Sequence, residues 1–191
     1  DGPKSVFFHP SKMKNIKTKL LVSKGDSVKV GSPLFFDKKN EKVLYVSSCS
    51  GLVKDVVLGA RRAVEKIEIE NDFKNDFFEF NSDATLDNLL NSGLWSFIRQ
   101  KPFSRVPHYK STPKSIFISA MPTEPFAIDN TFLFDKYNFL QEGIDSLKKI
   151  FNCDINMSVS NNSFSFLNNV KFSEFNMLHP AGNVGVQIHH I

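Results

Sequence analysis

Val22-Ser23-Lys24-Gly25-Asp26-Ser27-Val28-Lys29-Val30-Gly31-Ser32-Pro33-Leu34-Phe35-Phe36 places apolar residues on either side of two glycine-centred turns, with lysine and aspartate as turn-surface residues. A second half repeats the logic in Val43-Leu44-Tyr45-Val46 and in Ser50-Gly51-Leu52-Val53-Lys54-Asp55-Val56-Val57. It ends in Val64-Glu65-Lys66-Ile67-Glu68-Ile69-Glu70, where apolar and charged residues alternate with period two. Short strands of this kind are not stable singly. They are expected to pair as a compact all-β sandwich whose edges close by joining the two halves.

The chain then changes character. Residues 72–81 are rich in Phe, Asn and Asp and read as a connector anchored by Phe73, Phe77, Phe78 and Phe80. Ser82 or Asp83 can cap a short helix that carries Leu86, Leu89 and Leu90 on one face, and Gly93 stops it. Trp95, Phe97 and Ile98 form a second short turn ahead of Pro102, rimmed by Arg99, Lys101 and Arg105. Farther on, Ser115-Ile116-Phe117-Ile118-Ser119-Ala120 reads as a strand. Leu133, Tyr137, Leu140, Ile144 and Leu147 follow helical spacing, and Asp154-Ile155-Asn156-Met157-Ser158-Val159 is another strand. This is a βαβ unit with parallel strands and a right-handed crossover.

Ligands in such folds gather beyond the carboxyl ends of the strands, the neighbourhood of Met121-Pro122-Thr123-Glu124-Pro125-Phe126 and of a loop at 179–185. No G-x-G-x-x-G follows Ala120, and prolines take the place of the glycines, so the architecture is Rossmann-like without a nucleotide site. The expected organisation is a mixed α+β and α/β chain: a β domain at 1–72, a helical connector at 73–110 and an α/β domain at 111–191.

His179-Pro180-Ala181-Gly182-Asn183-Val184-Gly185-Val186-Gln187-Ile188-His189-His190 concentrates histidine, proline and spaced glycine. Proline fixes a dihedral, and glycine permits left-handed backbone or close approach, so the run reads as a shaped loop entering a strand at 186–190. The alternative is a tight turn with surface histidines. On a strand, His189 and His190 face opposite sides and cannot share one ion, so no metal is expected.

Composition narrows the function classes. The 191 residues are 41% hydrophobic and 23% charged, enough for one large or two small cores. The net charge is +4, but acidic residues follow the lysines closely and no basic stripe emerges, which argues against nucleic acid. A mild positive excess suits an anionic membrane surface. No apolar run approaches the roughly 20 residues that a membrane helix needs. Cys49 and Cys153 stand far apart, as reduced thiols do, and form no iron–sulfur cluster. Arg61 and Arg62 at a turn can clamp a phosphate or a partner's carboxylate, or stand solvated. No nucleophile elbow or working carboxylate pair occurs, and Glu124 is an isolated candidate with a plain loop carboxylate as its alternative. The chain opens without methionine and stops at Ile191 within the expected strand, and is read as a fragment.

Four segments taken together carry a resemblance. Gly93-Leu94-Trp95, Lys101-Pro102-Phe103-Ser104-Arg105-Val106-Pro107, Ser111-Thr112-Pro113-Lys114-Ser115-Ile116-Phe117 and the stretch from His179 occur in the order and spacing of the A subunit of the sodium-translocating NADH:quinone reductase, which this chain resembles. The pattern Gly25-Asp26, Val28, Gly31, Leu34 also resembles the barrel-sandwich hybrid of biotinyl and lipoyl carriers, with Lys38 and Lys39 near the hairpin that bears their modified lysine.

The resemblance implies a barrel-sandwich hybrid β domain followed by a Rossmann-like α/β domain. It further implies a peripheral subunit on the cytoplasmic side of the bacterial inner membrane. The complex would oxidise NADH, reduce ubiquinone and export sodium, with FAD, FMN and iron–sulfur centres held by other subunits and no cofactor in this chain. The expected partners are those subunits, with quinone a candidate ligand. Candidates for the quinone or subunit interface are Trp95, Arg99, Phe103, His179, Pro180, Gly182, Gly185 and His189. Two alternatives remain: a carrier or interaction module, and the equivalent subunit of a ferredoxin-linked membrane complex.

Overall fold

The structure, a computed structural model, describes residues 2–13, 16–81, 83–128, 136–160 and 164–191. They divide into two compact units, Asp1–Gln100 with Ser104–Lys110, and Lys101–Phe103 with Ser111–Ile191.

The first unit is built from β1 (Ser5–Phe8), β2 (Thr18–Leu20), β3 (Ser27–Val28), β4 (Pro33–Asp37), β5 (Asn40–Val46), β6 (Gly51–Leu58) and β7 (Val64–Asn71). They form one sheet in the order β1-β7-β6-β3 and a second in the order β2-β4-β5, with antiparallel neighbours throughout. Period two sets Ile67 and Ile69 of β7 inward and Glu70 outward, and a register shift opposite Val57 and Leu58, which pair with Lys66 and Val64, leaves Glu65 exposed and turns Val64 into the same core as Val53, Val28, Leu34 and Phe35. The expected β sandwich is therefore present, and the matching of its halves is visible in the turn at Gly25. There the Gly25 amide donates to the Val53 carbonyl at 2.8 Å and the Val53 amide donates to the Asp26 carbonyl at 2.8 Å. Gly31 sits at φ 90, a left-handed conformation that a side chain resists, with the Phe80 ring 3.0 Å from where a Cβ would stand.

The connector departs from expectation. Phe80 is half-buried with its ring against Gly31, as expected of an anchor, but Phe73, Phe77 and Phe78 are 50%, 66% and 44% exposed and their rings do not hold it down. The backbone does: the Val30 amide donates to the Asp76 carbonyl and the Phe78 amide to the Val30 carbonyl, both at 2.8 Å. Next comes α1 (Leu86–Asn91). Ser82 lies outside the described residues, and the cap is Thr85 rather than Asp83. Thr85, in extended conformation, accepts from the Asn88 amide at 3.2 Å. Gly93, at φ 80, separates α1 from a 3₁₀ turn at Leu94–Phe97.

In the second unit, β8 (Ser115–Ser119), α2 (Tyr137–Phe151), β9 (Asp154–Val159) and β10 (Lys171–Glu174) give a parallel sheet in the order β10-β9-β8. Leu133, placed at the start of the helical pattern, lies outside the described residues. Tyr137 opens α2 and is half exposed. Leu140, Ile144 and Leu147 form the apolar stripe of α2 and pack with Ile116, Ile118, Ile155, Met157 and Val159.

The final segment differs from the sequence reading. Residues 186–190 are not a strand but part of a helix, α3 (Val184–His190). Alternation over so few residues does not separate the two periods, and the buried member here is Gln187, which a strand reading takes for a solvent-facing polar residue. No helix among the described residues is long and apolar enough to cross a membrane.

Candidate functional site

The carboxyl end of β8 and the 179–187 segment meet in the second unit. The parallel ladder runs one residue past β8, where the Ala120 amide donates to the Ser158 carbonyl at 2.9 Å, and Met121 follows, 3% exposed. The Thr123 hydroxyl oxygen then accepts from the Gly182 amide at 3.0 Å and lies 3.5 Å from His179 Nδ1. That hydroxyl can still donate to Nδ1 or accept from it, so either neutral tautomer of the exposed His179 ring suits the contact.

Gly182 is the joint of this arrangement. A Cβ there would lie 2.3 Å from Thr123 Oγ1 and 2.5 Å from the Met121 carbonyl oxygen, so the residue is glycine because two backbones approach closely. A left-handed dihedral is not the reason, since the φ of Gly182 is not positive. The sequence makes Gly185 look equally necessary to the loop's path, and the structure corrects this. Gly185 lies in the first turn of α3 with nothing within 4 Å of an added Cβ.

Behind the loop, Gln187 is fully buried. Its Nε2 donates to Ser119 Oγ at 2.9 Å and to the Ala181 carbonyl at 2.8 Å, with Met121 Sδ at 3.8 Å. Ser119 in turn donates to the Gly182 carbonyl at 3.0 Å. Gln187 Oε1 has no hydrogen-bond partner. Neither Ser119 nor Gln187 stands out in the sequence as a site residue, because the contacts that join them to each other and to Gly182 span more than sixty residues.

The remaining sequence candidates are dispersed. Pro180 and His189 are exposed, and the His189 ring centroid lies 5.2 Å from that of His190. On a helix these neighbours no longer point to opposite faces as the strand reading required. Among the described residues no group of three His, Cys, Asp or Glu could hold a metal. Phe103 is 80% exposed, and Glu124 stands in an exposed loop.

Trp95 and Arg99 belong to the first unit. Trp95 is 1% exposed, and its indole Nε1 donates to the Pro107 carbonyl at 2.9 Å. Arg99 turns its guanidinium onto its own chain, donating to the carbonyls of Ser96 and Ile98. Asn40, which the sequence does not bring forward, organises this region. Its Nδ2 donates to the same Pro107 carbonyl at 2.9 Å, and its Oδ1 accepts from the Tyr109 amide at 2.9 Å.

Comparison with known proteins also divides the chain in two, but between residues 72 and 80, so that residues 80–100 and 104–110 of the first compact unit fall in the second family domain. A family model described as the NqrA N-terminal barrel-sandwich hybrid domain matches residues 2–72, and one described as the NqrA second alpha/beta domain matches residues 80–191. Among curated relatives, the A subunit of the Na(+)-translocating NADH-quinone reductase of Marinomonas sp. (strain MWYL1) is 35% identical over 190 residues, covering 91% of this chain and 42% of the relative. The protein of the same name from Saccharophagus degradans is 36% identical over 208 residues, covering 99% and 46%. That from Haemophilus influenzae (strain PittGG) is 33% identical over 191 residues, covering 92% and 43%. The chain thus spans less than half the length of each of these relatives.

Proposed function

This chain belongs to the NqrA family, and we propose that it works as part of the peripheral A subunit of a sodium-translocating NADH-quinone reductase. The observation that carries the proposal is the succession of both family domains, in order, along one chain whose curated relatives bear that name. In this reading NADH and ubiquinone are substrates of the whole complex. FAD, FMN and iron–sulfur centres reside in other subunits, which hold the protein to the cytoplasmic side of the inner membrane.

The chain's own contribution is positional. The face formed by Thr123, His179 and Gly182 presents an exposed imidazole on a backbone fixed by the Gly182 contacts, a geometry suited to meeting a partner subunit or a quinone head group. Trp95 is better placed as a structural anchor than as a contact residue, given its burial.

The test uses the native cell. Membranes from a strain lacking the gene are expected to lose sodium-stimulated NADH:quinone reduction, and tagged full-length protein should carry the membrane subunits with it on purification. Undiminished sodium-stimulated activity without the gene would sink the proposal.

A further inference from the structure

One end of the β sandwich gathers cations that the sequence scatters. The β6–β7 hairpin turns through Arg61 and Arg62, and the 3₁₀ turn Pro10–Lys12 lies against the start of β7, where the Ser11 hydroxyl donates to the Glu65 carbonyl at 3.3 Å. From there β2 runs toward Gly25, whose amide reaches Val53 well back along β6, so β2 starts at the hairpin end. The β4–β5 turn stands beside that start: the Lys38 amide donates to the Lys17 carbonyl at 2.8 Å and the Lys17 amide to Asp37 Oδ1 at 2.9 Å. Lys12, Lys17, Lys38, Lys39, Arg61 and Arg62 thus come to one end, all exposed. Among the described residues none of the six is ion-paired, whereas Lys24, Lys54 and Lys66 elsewhere on the sandwich reach Asp55 or Glu68. Asp37, Glu41 and Glu65 are the carboxylates on or beside these turns, and Asp37 is occupied by the amides of Lys17 and Lys39.

We propose that this end rests directly on an anionic phospholipid surface, its cations on lipid phosphates and Met13 and Leu58 at the headgroup boundary. Both apolar side chains are exposed among the cations, the mixture that an interfacial surface presents. Four of the six cations are lysines, which protein interfaces disfavour and a diffuse plane of phosphates does not. Arg61 and Arg62 stand at φ 54 and 58, a left-handed conformation that asparagine or glycine adopts more readily, so the turn holds arginine there against its backbone preference.

Such a contact is additional to the other subunits that hold the protein at the membrane, and it needs none of them to form. An acidic face on one of those subunits is the competing occupant.

Vesicle sedimentation with the full-length protein decides it. The protein is expected to sediment with vesicles of mixed phosphatidylglycerol and phosphatidylcholine, not with phosphatidylcholine alone, and to come off as salt rises. Arg61→Asn with Arg62→Asn removes two charges through a residue at ease in the left-handed region, and Lys38→Gln with Lys39→Gln removes two at the other turn. Each pair should weaken binding by about tenfold or more. Lys4→Gln with Lys29→Gln takes the same charge from the opposite end, where Lys4 adjoins Asn71 and Lys29 follows the pairing of Val28 with Gly51, and should change binding little. An equal loss in all three pairs makes the attraction one of net charge alone and overturns the proposal. So does equal binding to both kinds of vesicle, or binding to neither. Variants of the two turns that bind vesicles like the parent but release the membrane subunits on purification put an acidic partner at this end and overturn it as well.

Discussion

Gly182 has no room for a side chain, and the atoms that exclude one are unequal in their freedom to move. Thr123 can rotate, but the Met121 carbonyl belongs to the backbone leaving β8. Gly182→Ala should therefore destabilise by about 1–3 kcal/mol, as overpacking does. Gly185→Ala, with open space on a helix, should be neutral or stabilise by up to about 1 kcal/mol. Urea midpoints of the two variants check the contrast, and similar midpoints would remove Gly182 from the site. The sequence displays these two glycines alike. What separates them is Thr123, 59 residues away, and no local pattern encodes that distance. Gly25 and Gly31 were legible for the opposite reason: a turn between short strands states its own need for positive φ.

At the scale of elements, the β6–β7 ladder carries a pH dependence of known sign. Glu68 accepts from Lys54 and Lys66, each at 3.2 Å, and these bonds hold its carboxyl below the usual range, that to Lys54 foremost. A lowered folded value means stability that is present above the ordinary glutamate range and lost as pH falls through the lowered value. Glu68→Gln should thus flatten the acid limb of a plot of urea midpoint against pH. An unchanged limb would show the pair to be solvent-screened.

Loss of the α1 cap in Thr85→Ala should cost about 1 kcal/mol in the same measurement, whereas Asp83→Ala should leave the midpoint nearly unchanged. Elements with sustained periodicity, β7 and α2, could be read from the chain alone. The helix α3 could not, because seven residues with a buried glutamine match neither period and its burial is set by Ser119 and Ala181.

For the molecule as a whole, the turn after β8 predicts what the full chain will not bind tightly. Pro122 and Pro125 stand where a dinucleotide fold needs glycines, and no glycine-rich loop is offered to a pyrophosphate. Titration calorimetry with NADH is expected to give no stoichiometric micromolar binding, a free energy of about −8 kcal/mol. Such binding would instead locate a nucleotide site outside the familiar loop.

The shared Pro107 carbonyl gives the first unit an optical handle. Trp95 is the single tryptophan of the sequence, and its indole donates to the same oxygen that Asn40 holds. Its emission should be blue-shifted and poorly quenched by acrylamide while residues 104–110 remain seated. Asn40→Ala leaves the indole as the sole side-chain donor and deprives the Tyr109 amide of its acceptor, so the spectrum should redden before the β sandwich melts. The protein carries, without any added label, a lamp that dims when this one segment lifts.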